Sequence, residues 1–296
     1  MPLRKALEEE ELIIECVPNF SEGRDPVIVA SIAQAVAAVP GVKLLDTTSD
    51  QDHHRSVLTF AGAPDAVAEG AFEAVREAAA KIDMSRHAGV HPRIGAADVV
   101  PLVPVNGATL EQCAALATKL GERVWKELGV PVYLYEAAAR RPECMRLENV
   151  RKLAPNGLAP DFGTGRHPTA GASVVGARKF LVAWNINLRS TDLAFAREIA
   201  RGIRESSGGL PAVKSIGLPL ESRGQVQVSI NLVDFEQTPL YVVFDAVKKR
   251  CDERGVEIAG SELIGLIPAA ALRSSDGHDL RWENFRPELV LENRIS

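Results

Sequence analysis

Along the chain, short stretches with a two-residue apolar repeat alternate with longer stretches of helical repeat. Leu12 to Val17 reads as a strand, Pro26 to Val39 as an amphipathic helix ended by Pro40-Gly41, and Val42 to Asp46 as a second strand. A polar loop follows. Ser56 to Ala61 is then a strand, Ala63 to Ile82 a helix with Val67, Ala71, Val75 and Ala79 on one face, and Ala96 to Val105 a strand. That order is βαββαβ. A helix over Leu110 to Leu128 and a strand over Val132 to Tyr135 come next. Ala154 to Gly176 is rich in Pro, Gly, Thr and Ala and lacks period, so it is expected to be a packed binding loop.

From Arg178 the order begins again. Phe180 to Leu188 reads as a strand and Asp192 to Ser206 as a helix. Ala212 to Leu220 and Gln225 to Val233 form a strand pair joined through Ser222-Arg223-Gly224, followed by a helix over Pro239 to Arg254 and a strand over Glu257 to Ile264. A split βαβ unit lays two helices on one face of an antiparallel sheet. The expected fold is therefore α/β of the α+β kind, with two ferredoxin-like βαββαβ subdomains over residues 12–178 and 179–296. Their sheets are expected to face each other with helices outside, leaving a cleft for a ligand.

Composition narrows the function classes. With 296 residues, 46% hydrophobic, 25% charged and 5% aromatic, the chain is that of a soluble globular protein. No apolar run approaches the ~20 residues of a membrane helix, so no membrane partner is expected. The acidic run Glu8 to Glu11 and the lack of an apolar core near the start argue against a secretory signal, so a cytoplasmic location is expected. A net charge of -5 without a basic stripe argues against nucleic acid. Cys16, Cys113, Cys144 and Cys251 are scattered and read as small buried hydrophobes.

Three polar clusters carry candidate chemistry. Pro18-Asn19-Phe20-Ser21-Glu22-Gly23-Arg24 reads equally as a capped turn or as backbone N–H groups open to an anion. Asp50-Gln51-Asp52-His53-His54-Arg55 offers either metal ligands or a solvated loop of mutually paired charges, and Arg55 has the planar fork that grips a carboxylate. In Arg86-His87-Ala88-Gly89-Val90-His91-Pro92-Arg93-Ile94-Gly95, the histidines have the spacing of a helical zinc pair. Gly89 and Pro92 disfavour that helix, so no metal is expected and a loop histidine beside substrate is the alternative to a surface turn.

Longer strings resemble a known family. Glu15-Cys16-Val17-Pro18-Asn19-Phe20-Ser21-Glu22-Gly23, Asp83-Met84-Ser85-Arg86-His87, His91-Pro92-Arg93-Ile94-Gly95-Ala96-Ala97-Asp98-Val99-Val100-Pro101, Pro131-Val132-Tyr133-Leu134-Tyr135, Ala159-Pro160-Asp161-Phe162-Gly163 and Gly176-Ala177-Arg178-Lys179-Phe180-Leu181-Val182-Ala183-Trp184-Asn185-Ile186-Asn187-Leu188 are similar to those of the glutamate formimidoyltransferase family. They run in the family's order, from Glu15 to about Ala271. The resemblance, to the transferase part of formimidoyltransferase-cyclodeaminase, implies two α/β subdomains, a homodimer, and tetrahydrofolate as co-substrate at a site between the sheets. N-formimidoylglutamate is the implied second substrate, in histidine degradation and one-carbon metabolism. The resemblance puts the proton donor on His91. It puts the folate loop on Gly163, Thr164, Gly165, Arg166, His167, Pro168, Thr169, Ala170 and Gly171.

Both implied substrates are anionic, so a locally basic site is expected despite the negative net charge. Arg93 and Arg166 are expected to touch ligand, while Arg178 and Lys179 either join them or face solvent. The alternatives of a different class are a folate or amino-acid sensing module without catalysis, and formyl transfer from N-formylglutamate.

Overall fold

Strand β1 (Ile13–Cys16) and the short β2 (Asn19–Phe20) follow one path, interrupted where Pro18 has no N–H for a ladder. The computed structural model describes residues 12–51, 54–87 and 93–295. Its two compact units divide between Arg178 and Lys179.

In the first unit, α1 (Pro26–Ala37) starts with Pro26 in its first turn. The Asp25 carboxylate accepts from the Val27 and Ile28 N–H groups, a cap worth about 1 kcal/mol. β3 (Val42–Asp50) and β4 (Arg55–Gly62) form a hairpin, and α2 (Pro64–Lys81) leads to β5 (Ala97–Asn106). α3 (Leu110–Leu128) carries a reciprocal Thr109–Gln112 capping box and ends at Gly129 with φ 66°. β6 (Val132–Glu136), α4 (Leu147–Leu153) and β7 (Ser173–Ala177) complete the unit.

Among the described residues these strands form one sheet. Its order is β3, β4, the β1/β2 path, β5, β7, β6. The first four positions are antiparallel, as a βαββαβ unit requires, but β7 pairs in parallel with both β5 and β6. The expected loop over Ala154 to Gly176 therefore ends inside an interior strand. All five residues of β7 are buried and most are small, so no alternation marks it. The polar stretch after Asp46 likewise continues the hairpin, with Thr47 to Asp50 opposite Leu58 to Arg55. Its exposed side chains give no apolar rhythm.

Alternate residues separate two cores. Ile14, Cys16, Phe20, Leu58, Phe60, Leu102 and Leu134 pack under α1, α2 and α3. Each large side chain so buried contributes roughly 1.5–3 kcal/mol. Val99, Tyr133, Tyr135 and Val174 point the other way and pack against Cys144 and Val150, so α4 covers that part of the opposite face.

In the second unit, β8 (Val182–Leu188), α5 (Leu193–Ile203), β9 (Val213–Leu220), β10 (Gln225–Leu232), α6 (Leu240–Arg254) and β11 (Ile258–Ile264) give an antiparallel sheet ordered β11, β8, β10, β9. Val226, Val228, Ile230 and Leu232 join Trp184 and Phe244 in its core. The intervening Gln225, Gln227, Ser229 and Asn231 take the other face. α7 (Ala269–Arg273) and α8 (Leu291–Ile295) follow. All four cysteines are buried and unbridged. Among the described residues no helix is long and apolar enough to cross a membrane.

Candidate active site

Three connections of the first unit meet at one end of its sheet. After β2, the Glu22 carboxylate turns back and accepts from the N–H groups of Gly23, Arg24 and Asp25 at 2.8–3.0 Å. These donors are the ones an external anion would have used, so the turn is filled by its own side chain. Gly23 is required there: a Cβ would lie 2.3 Å from the Asp50 carbonyl oxygen in the β3–β4 turn. His54, in that turn with φ 48°, brings Nδ1 within 3.2 Å of the Gly23 N–H and 3.4 Å of Glu22 Oε1.

The third connection links α2 to β5. The imidazoles of His87 and His54 stack with centroids 4.2 Å apart and planes 26° from parallel. Arg93 Nη1 donates to the His54 carbonyl oxygen at 2.8 Å and meets His87 Nε2 at 3.0 Å. A guanidinium only donates, so Nε2 of His87 accepts and that nitrogen carries no proton. Both rings are pushed below the ordinary histidine range. For His54 the cause is burial first, with Arg24 and Arg93 adding to it and Glu22 opposing. For His87 burial again leads, followed by Arg93 and His54, against Glu22 and a hydrogen bond to the Ser21 backbone. Both surroundings favour the neutral rings.

Beyond Arg93 the chain is held on every side. Asp98 Oδ1 accepts from the Ile94 N–H at 2.7 Å, and its Oδ2 accepts from Arg151 of α4 at 2.5 Å. The Ser21 hydroxyl donates to the Gly95 carbonyl oxygen at 2.7 Å. The Ala96 N–H donates to the Ala170 carbonyl and the Ala172 N–H to that of Ile94, while the Met84 N–H donates to the Thr169 carbonyl. Residues 163–171 are thereby built onto both sides of the α2–β5 connection. Within that loop, His167 and Gly171 exchange backbone hydrogen bonds, and His167 Nδ1 accepts from the Ala170 N–H at 3.0 Å. Gly163, with φ 91°, lies flat on Trp125, where a Cβ would come within 2.6 Å of the ring.

The chain matches the formiminotransferase domain, N-terminal subdomain, over residues 13–178, and the formiminotransferase domain over residues 183–289. The glutamate formimidoyltransferase of Streptococcus pyogenes serotype M1 is 42% identical over 96% of this chain and 98% of its own length. That of Thermoplasma acidophilum is 40% identical over 96% and 97%. The chain belongs to the formimidoyltransferase family. It is a transferase of this kind. The formimidoyltransferase-cyclodeaminase of Sus scrofa is 45% identical over 92% of this chain and 53% of its own length, so the chain spans about half of that bifunctional relative.

The positions singled out in this family member fare differently. His91, Asp52 and His53 lie outside the described residues. Arg93 lies at the centre of the cluster, but its Nη1 is engaged with His54 and His87. Arg55 gives Nη2 to the Asn19 side-chain oxygen, so part of the fork expected for a substrate carboxylate holds strand β2 to β4 instead. Arg166 is exposed at the loop tip, near enough to Tyr133 to bear on its hydroxyl. Lys179 forms ion pairs with Asp234 at 2.7 Å and Glu236 at 3.0 Å. Among the described residues no three metal-ligating side chains converge.

Glu22 and His54 stood in separate candidate strings and Asp98 and Arg151 in none of the three, yet the structure brings all four to one cluster. Asp98 stands within the family-like string, and that was the signal available for it. Arg151 had none, since it reaches Asp98 across 53 positions of sequence.

Proposed function

We propose that the chain transfers a formimidoyl group from N-formimidoyl-L-glutamate to N5 of tetrahydrofolate, giving 5-formimidoyltetrahydrofolate and L-glutamate, with His91 as general acid. The observation that carries this reading is the joint between residues 163–171 and the α2–β5 connection. The loop that the family resemblance assigns to folate and the segment that carries the assigned donor are hydrogen-bonded at Ala170, Ala172 and Thr169. The described residues on both sides of that segment, Met84, Ile94 and Ala96, are the ones joined to the loop and its end.

The chemistry needs a proton in a defined place. N5 attacks the amidine carbon and forms a tetrahedral adduct, and the bond from that carbon to the glutamate nitrogen then breaks. An unprotonated amine leaves poorly, so a proton must reach the departing nitrogen while N5 gives one up. A histidine with an ordinary value near ~6.5 suits that donation, which contributes typically ~10² to 10⁴ in rate. Arg166, exposed in the loop, is the cation we assign to the folate carboxylates.

The test is an absorbance assay with tetrahydrofolate and each donor, followed by acidification to reveal methenyl-folate. Product from N-formimidoylglutamate is expected. Turnover with N-formylglutamate alone would replace the donor, and folate binding without turnover would make the chain a sensing module. We further propose a homodimer acting in histidine degradation, to be tested by sedimentation.

A further inference from the structure

The stacked pair His54–His87 and the guanidinium that joins it have a feature the transfer chemistry does not by itself require. His87 and Arg93 stand directly before and after residues 88–92 in sequence, and one hydrogen bond of 3.0 Å ties them. The same nitrogen of Arg93 also ties them to the β3–β4 turn through His54. A proton on His87 Nε2 would set a donor against a donor and break the tie. His54 has another option. When neutral its Nδ1 accepts from the Gly23 N–H, and when protonated it turns that proton toward Glu22 Oε1. Among the described residues, the charged groups facing the two rings are Glu22 and Arg24 from the turn after β2, and Arg93. Asp98 and Arg151 in turn act on Arg93.

We propose that His54, His87 and Arg93 form a clasp that positions the chain on either side of His91, and that Arg93 is a positioning residue rather than a group that grips substrate. The inference rests on the reading of His91 as proton donor. Its consequence is a split between rate and affinity. The clasp holds only while His87 Nε2 is unprotonated, so acid should lower kcat by parting His87 from Arg93, the residues that flank the donor's segment in sequence, and leave substrate affinity largely untouched.

The experiment uses the full chain and three variants, His87→Ala, His87→Gln and Arg93→Gln. With kcat and KM measured between about pH 5.5 and 8.5, His87→Ala is expected to lose roughly tenfold in kcat, a misplacement effect, with both KM values within about twofold of wild type. In His87→Gln the side-chain carbonyl accepts from Arg93 but does not titrate. It is expected to recover kcat to within about threefold at neutral pH and to move the acid limb to lower pH. An unmoved acid limb in His87→Gln, or a tenfold rise in KM with kcat retained in Arg93→Gln, would overturn the proposal. Ring NMR of the free protein decides the clasp even if no formimidoyl transfer is found. Arg93→Gln should raise the His87 titration midpoint toward the ordinary value, and an unchanged midpoint would refute the tie.

Discussion

Both units repeat one plan, with strands in the order 2-3-1-4, yet they differ where the second helix returns to the last strand. In the second unit α6 ends at Arg254 and β11 begins at Ile258, the turn being made by Gly255 at φ 66°. In the first, α2 ends at Lys81 and β5 begins only at Ala97, and the connection carries His87, His91 and Arg93. The connection after the first strand differs in content rather than in length. β8 passes to α5 through Arg189 to Asp192, which caps the helix, whereas β2 passes to α1 through the Glu22 turn that faces His54. Two copies of one fold have thus been elaborated unequally, and polar groups converge at the end of the sheet with the longer α2–β5 connection. The fold supplies the frame, and the site is built in its connections.

The largest test of this contrast is His91→Ala. It should lower kcat by ~10² to 10⁴ with the fold and folate affinity nearly unchanged, because the residue acts on a proton in the transition state. Glu257→Ala, in the corresponding connection of the second unit, should leave kcat within about twofold of wild type. A lower melting temperature with kcat retained in folded His91→Ala would end the general-acid assignment.

Glycines sharpen the comparison in terms of stability. A Cβ on Gly95 would lie 1.9 Å from the Ala172 carbonyl oxygen, so Gly95→Ala must push apart the joint between β5 and the 163–171 loop. We expect a loss of about 3 kcal/mol in urea unfolding. At Gly255 nothing lies within 4 Å, and only the left-handed backbone opposes alanine, at about 1–2 kcal/mol. Equal losses at the two glycines would mean that the joint is loose.

These same places separate what could be read from the chain and what could not. The second unit was legible almost residue by residue as far as Ile264, because β10 alternates and α5 and α6 are amphipathic, whereas α7 and α8 beyond it were not read. In the first unit the βαββα order and α3 were legible, but β7 was not, since a short strand of small residues buried throughout has no alternation to display. For the site, His87 and Arg93 could be found because they share one string. The Glu22–His54 and Asp98–Arg151 pairings could not, as each depends on turns brought together by the sheet. The bond from Arg55 to Asn19 could not be read either, because a guanidinium entering a strand looks the same whether it meets a ligand or a neighbouring strand.

A smaller effect is expected at the loop tip. If exposed Arg166 makes a charge-assisted hydrogen bond to folate, Arg166→Ala should weaken binding by about 1.5–3 kcal/mol, roughly 10- to 150-fold in Kd. Arg24, whose Nε donates to the Gln51 carbonyl at the other side of the cluster, should matter much less. Titration calorimetry that finds equal dissociation constants for the two variants would count against Arg166 as the folate cation.

The smallest expected effect is a pH dependence confined to the elaborated unit. Burial, with the neighbouring arginines, holds the folded His54 and His87 below the ordinary value. Unfolded, they return to about 6.5. Below that value the unfolded chain binds protons that the folded chain refuses, so the contribution to stability is present above about pH 6.5 and is lost as the pH falls through the folded values. Amide exchange, corrected for its intrinsic pH dependence, should therefore show protection in β1–β5 falling between about pH 7 and 5 more than in β8–β11. In His87→Gln the difference should shrink, because one of the two rings no longer titrates in the unfolded state. Parallel loss in both units would place the acid sensitivity outside the histidine cluster and remove the energetic basis for treating the two connections as unlike.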